Sequence, residues 1–151
     1  MNKSHGYLNE KEFLKKNYFN NTLSNSIIIY GQKGIGKKTF IINLLKEFIT
    51  KSLNEEKAYH NINLIDKYLH PNLRFITRDF DTKTNKKKEL ISIDQIRKLN
   101  SFVNESSLDG LSKFIIIDSL DELTVNSSNC LLKLLEEPNN NTFIFLISHQ
   151  F

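Results

Sequence analysis

IIIYGQKGIGKKTF, from Ile27 to Phe40, runs from four apolar residues into a glycine-spaced loop, a lysine and the start of an apolar-periodic segment. Ile27, Ile28, Ile29 and Tyr30 predict a buried parallel strand. Gly31, Gly36 and Lys37 match the spacing G-x-x-x-x-G-K, with Gly34 inside it. Strand, glycine loop, lysine and helix is the order that a phosphate-binding loop requires. Glycines let backbone N–H groups turn inward around phosphate oxygens, and the helix N-terminus adds positive potential. Lys37 is expected to place its ammonium on the β- and γ-phosphates. A plain glycine-rich turn would account for scattered glycines, but not for the full pattern with both flanking elements.

One position departs from the pattern. The residue after the lysine is normally Ser or Thr, whose hydroxyl joins the Mg²⁺ shell. Here it is Lys38, a cation that cannot ligate a metal. Thr39 follows, but one helical step turns a side chain by roughly 100°, so its hydroxyl is expected to point elsewhere. Nucleotide binding by Gly31, Gly34, Gly36, Lys37, Lys38 and Thr39 is therefore expected, and efficient hydrolysis is not.

A chain of 151 residues fits one domain with a genuine core. With 39% hydrophobic and 25% charged residues, a soluble globular class is expected. A net charge of +4 favours an acidic partner only mildly. The single cysteine, Cys130, excludes an intramolecular disulfide framework and a zinc cluster built from several cysteines. There is no apolar run of membrane-spanning length and no apolar signal-peptide core at the N-terminus, so a cytoplasmic protein is the default expectation.

Taken in order, residues 10–17 predict a short helix and residues 20–25 a polar loop. From Lys37 to Lys51, Phe40, Ile41, Leu44, Leu45, Phe48 and Ile49 recur at helical spacing. Residues 52–72 are less distinct. Ile62, Ile65 and Leu69 suit a short helix ending before Pro71. Leu73–Arg78 reads as a strand, and Asp79–Lys88 as a polar turn carrying four lysines. Residues 89–93 resume apolar alternation, which predicts a hairpin-like excursion. Ser92 and Gln95 fit a capping box, opening a helix with Ile96, Leu99, Phe102 and Val103 on its apolar face. Ser106–Gly110 should close that helix with turn residues. A helix is expected over about Ser127–Glu137, stopped by Pro138, with a turn at Asn139–Asn141 and a last buried strand over Thr142–Ile147. Alternating strands and helices with continuous apolar runs imply a parallel sheet covered on both faces.

Lys113–Asp118, KFIIID, is the second decisive run: four apolar residues ending in an acid. Behind a phosphate loop, an Asp at the carboxyl end of a central strand holds Mg²⁺ or its water beside the nucleotide. Considered alone, Asp118 would be read as a turn cap.

With both motifs in place, the chain resembles the AAA+ domain of bacterial clamp-loader subunits, with the delta-prime family of DNA polymerase III nearest in wording. The resemblance rests on IIIYGQKGIGKKTF, on HPNLRFI (His70–Ile76), on ISIDQIRKL (Ile91–Leu99) and above all on FIIIDSLDELTVNSSNCLLKLLEEPNNNTFIFLIS (Phe114–Ser148). It covers most of residues 24–149. It implies a P-loop NTPase three-layer α/β sandwich with a mostly parallel central sheet, residues 1–151 forming the first, N-terminal portion of the AAA+ module and leaving it incomplete at the C-terminus. It also implies a stator-like subunit in a hetero-pentamer with gamma/tau and delta, which opens the sliding clamp and places it on primed DNA. Lys38 in place of the hydroxyl, and Ser119 in place of the Glu that activates water, favour delta-prime over an active gamma/tau ATPase, the alternative. ATP with Mg²⁺ would then be bound weakly or not at all.

Asp121 and Glu122 lie three and four residues past Asp118, too far along the chain to assume that either substitutes for that Glu. The family's four-cysteine zinc module is expected to be missing, because residues 52–69 hold no cysteine. The family's Ser-Arg-Cys motif, lid and helical collar do not follow Phe151, which makes the chain look like a fragment or a truncated product. The resemblance further implies a sensor role for Ser148, beside which a strand-ending turn former is the plain alternative. His149 is expected to be an ordinary surface or packing residue. Lys83, Lys86, Lys87 and Lys88 are expected to form a solvated tip rather than a DNA contact, and Lys33 and Lys38 could assist phosphate binding electrostatically. A small nucleoside kinase is disfavoured by the few arginines, Arg74, Arg78 and Arg97.

Overall fold

Apolar runs too short and too uniform for amphipathic helices become the strands of a wholly parallel sheet in the computed structural model, which describes residues 7–137 and 141–150. In chain order the elements are α1 (Leu8–Phe19), β1 (Ser26–Tyr30), α2 (Lys37–Ser52), α3 (Glu55–Asp66), β2 (Leu73–Ile76), α4 (Ile93–Asn104), β3 (Lys113–Asp118), α5 (Val125–Glu136) and β4 (Thr142–Ser148). Short 3₁₀ turns at Leu108–Gly110 and Leu120–Glu122 flank β3. Pro138, expected to stop α5, lies outside the described residues, as do Asn139, Asn140 and Phe151.

The strand order is β1-β4-β3-β2. Register is continuous, with Ile28 opposite Leu146, Ile115 opposite Ile144 and Phe75 opposite Ile116. The chain crosses from β1 to the far edge at β2 and then steps back through β3 to β4. Because such crossovers share one hand, this reversal sends helices to opposite faces. One core packs Phe40, Ile41, Leu44, Leu45 and Phe48 of α2 against Phe114, Ile116 and Phe145. The other packs Ile96, Leu99 and Phe102 of α4 and Leu131 and Leu134 of α5 against Ile115, Ile117 and Leu146. The expected three-layer α/β sandwich is present.

Four boundaries differ from expectation. α1 and α5 each start two residues earlier than their apolar positions suggested. The indistinct segment holds a helix, α3, whose N-cap Asn54 accepts the Lys57 N–H at 3.0 Å, while Leu69 falls beyond its end. The expected hairpin is not formed. Phe80 and Lys87 make one antiparallel bridge, but Ile91 turns to Leu123 in a parallel bridge instead of returning to β2. Ile91 is fully buried, and alternation reports a buried face without naming the strand that shares it. The capping box does open α4, with the Ser92 N–H donating to Gln95 Oε1 at 3.0 Å.

HPNL proves to be an internal brace. His70, Asn61 and Asn72 are all buried. His70 Nδ1 accepts the Asn72 N–H at 3.1 Å, so its proton sits on Nε2, 2.6 Å from Asn61 Oδ1. Asn72 then ties the turn before β3 through Leu108 N–H and Leu108 O. Among the described residues no helix is long and apolar enough to cross a membrane.

Candidate phosphate-binding site

β1 and β3 send their chains to opposite faces of the sheet, with β4 between them, and this opens a crevice at the carboxyl ends of all three strands. The glycine loop forms one wall. Gly36 caps α2 in the left-handed region at φ 88°, where a side chain would be strained. Gly31 stands at φ 147°, a backbone conformation that a side chain would strain, although the exposed Ile35 side chain 2.9 Å from where a Cβ would stand could move aside. Gly34 also has positive φ and open space around it.

Lys37 is only 4% exposed. Its Nζ donates to the loop's own carbonyls, Gly31 O at 2.6 Å and Gln32 O at 2.7 Å. Burial pulls its pKa below the ordinary lysine value, with Asp118 and Asp121 opposing that effect. Lys38 turns away from the loop. Its Nζ lies 4.3 Å from the Phe75 ring centroid and 4.9 Å from that of Tyr68, a cation resting over two adjacent aromatic rings. Thr39 is exposed on α2, in keeping with its helical offset.

The opposite wall is acidic and contains residues that sequence reasoning passed over. The 3₁₀ turn after β3 folds Asp121 back toward the strand ends. Its Oδ2 accepts the His149 N–H at 2.7 Å and the Ser119 hydroxyl at 3.0 Å, and its Oδ1 accepts the Ser148 hydroxyl at 3.2 Å. Burial would raise the Asp121 pKa, but these donors outweigh it and hold the carboxyl below its usual range. His149 Nε2 stands 3.8 Å from Asp118 Oδ1, while its Nδ1 is buried without a partner among the described residues. Glu122 leaves the crevice to pair with Arg78 at 3.0 Å. A serine–aspartate pair two residues apart after an acid-ended strand was the available signal, yet no spacing rule shows that a 3₁₀ turn brings Asp121 back. Lys83, Lys86, Lys87 and Lys88 are exposed.

The family model described as "DNA polymerase III, delta subunit" matches residues 8–151. The chain belongs to this family. Relatives within it include the DNA polymerase III subunit delta' of Bacillus subtilis, 32% identical over 130 residues, or 85% of this chain and 37% of that protein. The delta' subunits of Pseudomonas aeruginosa and of Buchnera aphidicola from Baizongia pistaciae are 29% and 28% identical, covering 84% and 92% of this chain and 38% and 42% of those proteins. The chain thus spans well under half the length of these relatives. A DNA polymerase III gamma subunit-related protein from Thermotoga maritima shares the fold, with TM-score 0.58 and 21% identity over 93% of this chain and 38% of that one.

In this member of the DNA polymerase III delta family the two walls suit different tasks. The loop and Lys37 form a cradle of the kind that holds phosphate. Mg²⁺ is usually held by one or two carboxylates together with substrate phosphates and waters, and the other wall offers it the Asp118 carboxylate, which only faces His149 Nε2 at 3.8 Å. Lys38 stands where a hydroxyl is needed, and both oxygens of Asp121 already accept protein donors. Among the described residues no group of three His, Cys, Asp or Glu side chains is placed to hold a metal ion.

Proposed function

We propose that this chain is the P-loop portion of a delta-prime-like clamp-loader subunit of DNA polymerase III. In this reading, residues 1–151 belong to the AAA+ module of a cytoplasmic protein that assembles with gamma/tau and delta subunits. The complex loads the sliding clamp on primed DNA. The subunit acts as a stator with a degenerate nucleotide site, and its own turnover is weak or absent. The observation that carries this reading is the pair of replacements at the site, in a chain of this family. Lys38 stands in the hydroxyl position and Ser119, whose hydroxyl bonds Asp121, stands in the position of a water-activating Glu.

Reconstitution tests it. The complete protein mixed with gamma/tau and delta subunits should elute as one complex on size exclusion, and ATP hydrolysis by that complex should be unchanged by Lys37→Ala in this subunit. Failure to enter the complex would reject the stator reading. The second reading, an active ATPase, draws on Lys37, Asp118 and Asp121 converging on one crevice. Steady ATP turnover lost in Lys37→Ala would select it.

A further inference from the structure

We propose that the turn between β2 and α4, residues 79–90, is a surface for single-stranded nucleic acid, its lysines taking phosphates and Phe80 taking a base. The surface lies outside the phosphate-binding site and needs neither a nucleotide nor turnover there.

A lysine run without fixed shape is a solvated tip, but this turn is braced. The Asp81 N–H donates to Lys86 O at 2.8 Å, the Asn85 N–H to Asp81 O at 2.9 Å and the Lys88 N–H to Asp79 O at 2.7 Å. Asp81 Oδ1 accepts the Lys83 and Thr84 N–H groups, each at 2.8 Å. The Thr84 and Lys83 amides hold the Asp81 carboxyl below its usual range, with a smaller contribution from the Lys88 charge. The acid inside the turn is thus directed to its own backbone, and the other two, Asp79 and Glu89, stand at the base. Lys83, Lys86, Lys87 and Lys88 are exposed, and none forms an ion pair among the described residues. Cations on a braced turn meet a polyanion at little ordering cost. Phe80 decides which polyanion. It is 64% exposed and bridges Lys87 in an antiparallel pair, which puts the two side chains on one face. An exposed ring beside an ammonium suits an unpaired base, which stacks on the ring while its phosphate meets the cation. A duplex keeps its bases stacked inside, and an acidic polypeptide has no base to stack on the ring. The turn also leaves the carboxyl end of β2, an edge strand, where a strand of nucleic acid can approach.

Fluorescence anisotropy of a labelled oligothymidylate, titrated with the complete protein over a range of salt concentrations, tests the proposal. Lys86→Gln combined with Lys87→Gln should weaken binding and flatten its logarithmic salt dependence by about 1.4, since each phosphate contact on a single strand contributes about 0.7. Phe80→Ala should weaken binding by about fivefold or more and leave the salt dependence unchanged. A blunt duplex should bind more weakly than the single strand and be indifferent to Phe80→Ala. Lys16→Gln combined with Lys133→Gln, exposed lysines on α1 and α5, should change neither quantity. Urea midpoints report whether each variant stays folded; if the Lys86 and Lys87 pair lowers the midpoint, Lys83→Gln combined with Lys88→Gln reads the same slope. The proposal is overturned by absence of binding at low salt, by a salt dependence that the turn variants leave unchanged, by an equal loss in the α1 and α5 variant, or by native affinity in Phe80→Ala. Tighter, lysine-dependent binding of polyglutamate than of oligothymidylate would overturn it as well and assign the turn to an acidic protein. Assembly with the other subunits is read separately on size exclusion, so that loss of strand binding with assembly intact rejects this inference alone.

Discussion

The Asp121 carboxylate accepts the His149 backbone N–H at 2.7 Å, joining the turn after β3 to the end of β4. Both strand ends are thereby fixed by one side chain that also holds the Ser119 and Ser148 hydroxyls. Asp121→Ala leaves these donors without their acceptor. Each exposed bond contributes only modestly, so a loss of about 1 kcal/mol is expected. Urea denaturation would show it as a lower midpoint at unchanged slope. Asp121→Asn keeps one acceptor oxygen and should lie between alanine and the native protein; full native stability in the alanine variant would refute the clamp.

His70 makes stability depend on pH. Burial lowers its pKa from the ordinary 6.5, with His60 adding to the effect, because the neutral ring is what the Asn61–His70–Asn72 brace requires. The unfolded chain therefore takes up a proton near its ordinary value before the folded one does. Stability is fully present above that value and declines as the pH falls below it. Comparing urea midpoints at neutral and mildly acidic pH, the native protein should lose more stability than His70→Gln, whose side chain does not titrate. At neutral pH His70→Ala should cost about 1–3 kcal/mol, since it strands two buried polar partners. Equal pH slopes in native protein and His70→Gln would rule out this source.

Lys113 begins β3, yet its ammonium closes α4. The side chain is buried, and Nζ donates to Phe102 O at 2.6 Å and also to Glu105 O. These are carbonyls of the last turn of α4 and its C-cap, which lack intrahelical partners. Lys113→Met preserves the stem but removes every donor. A destabilisation of about 1–3 kcal/mol is expected, with faster amide exchange concentrated at the C-terminal end of α4. Exchange unchanged there would mean that the carbonyls find other partners.

Phe48 holds the face of the sheet opposite α4. It is fully buried and lies parallel to Tyr18 at 3.9 Å between ring centroids, with Phe114 at 6.1 Å. Phe48→Ala should cost about 3–5 kcal/mol by combining lost transfer energy with a cavity that rigid neighbours cannot fill. Tyr18→Phe keeps the stacking but removes the 2.8 Å bond to the Ser112 hydroxyl, so about 1 kcal/mol is expected. Thermal melts of the two variants should keep that order.

The apolar runs of β3 and β4 and the helical stripes of α2 and α4 were readable because burial on both faces of a strand or along one stripe of a helix is a local property of side chains. By contrast β1, read as buried, lies at the end of the strand order, with Ile28 and Tyr30 each 60% exposed. The glycine loop was readable for a related reason: its positive φ angles at Gly34 and Gly36 limit which residues can stand there. Ile91 was misread as the return strand of a hairpin because its neighbours carry the right alternation, while its partner, Leu123, is far along the chain.

The sequence by itself determined the strand–loop–helix unit around Lys37, the acid at the end of β3, and the missing hydroxyl at Lys38, since each depends on residue type at fixed spacing. Only the tertiary structure decided where the charges go. It turned Lys38 onto Phe75 and Tyr68, buried Lys37 against its own loop, and brought Asp121 back to Ser148 and His149. Those placements depend on sheet order and on a turn between β3 and α5. Long side chains can swing through several ångströms, so their partners are settled by what the fold packs beside them.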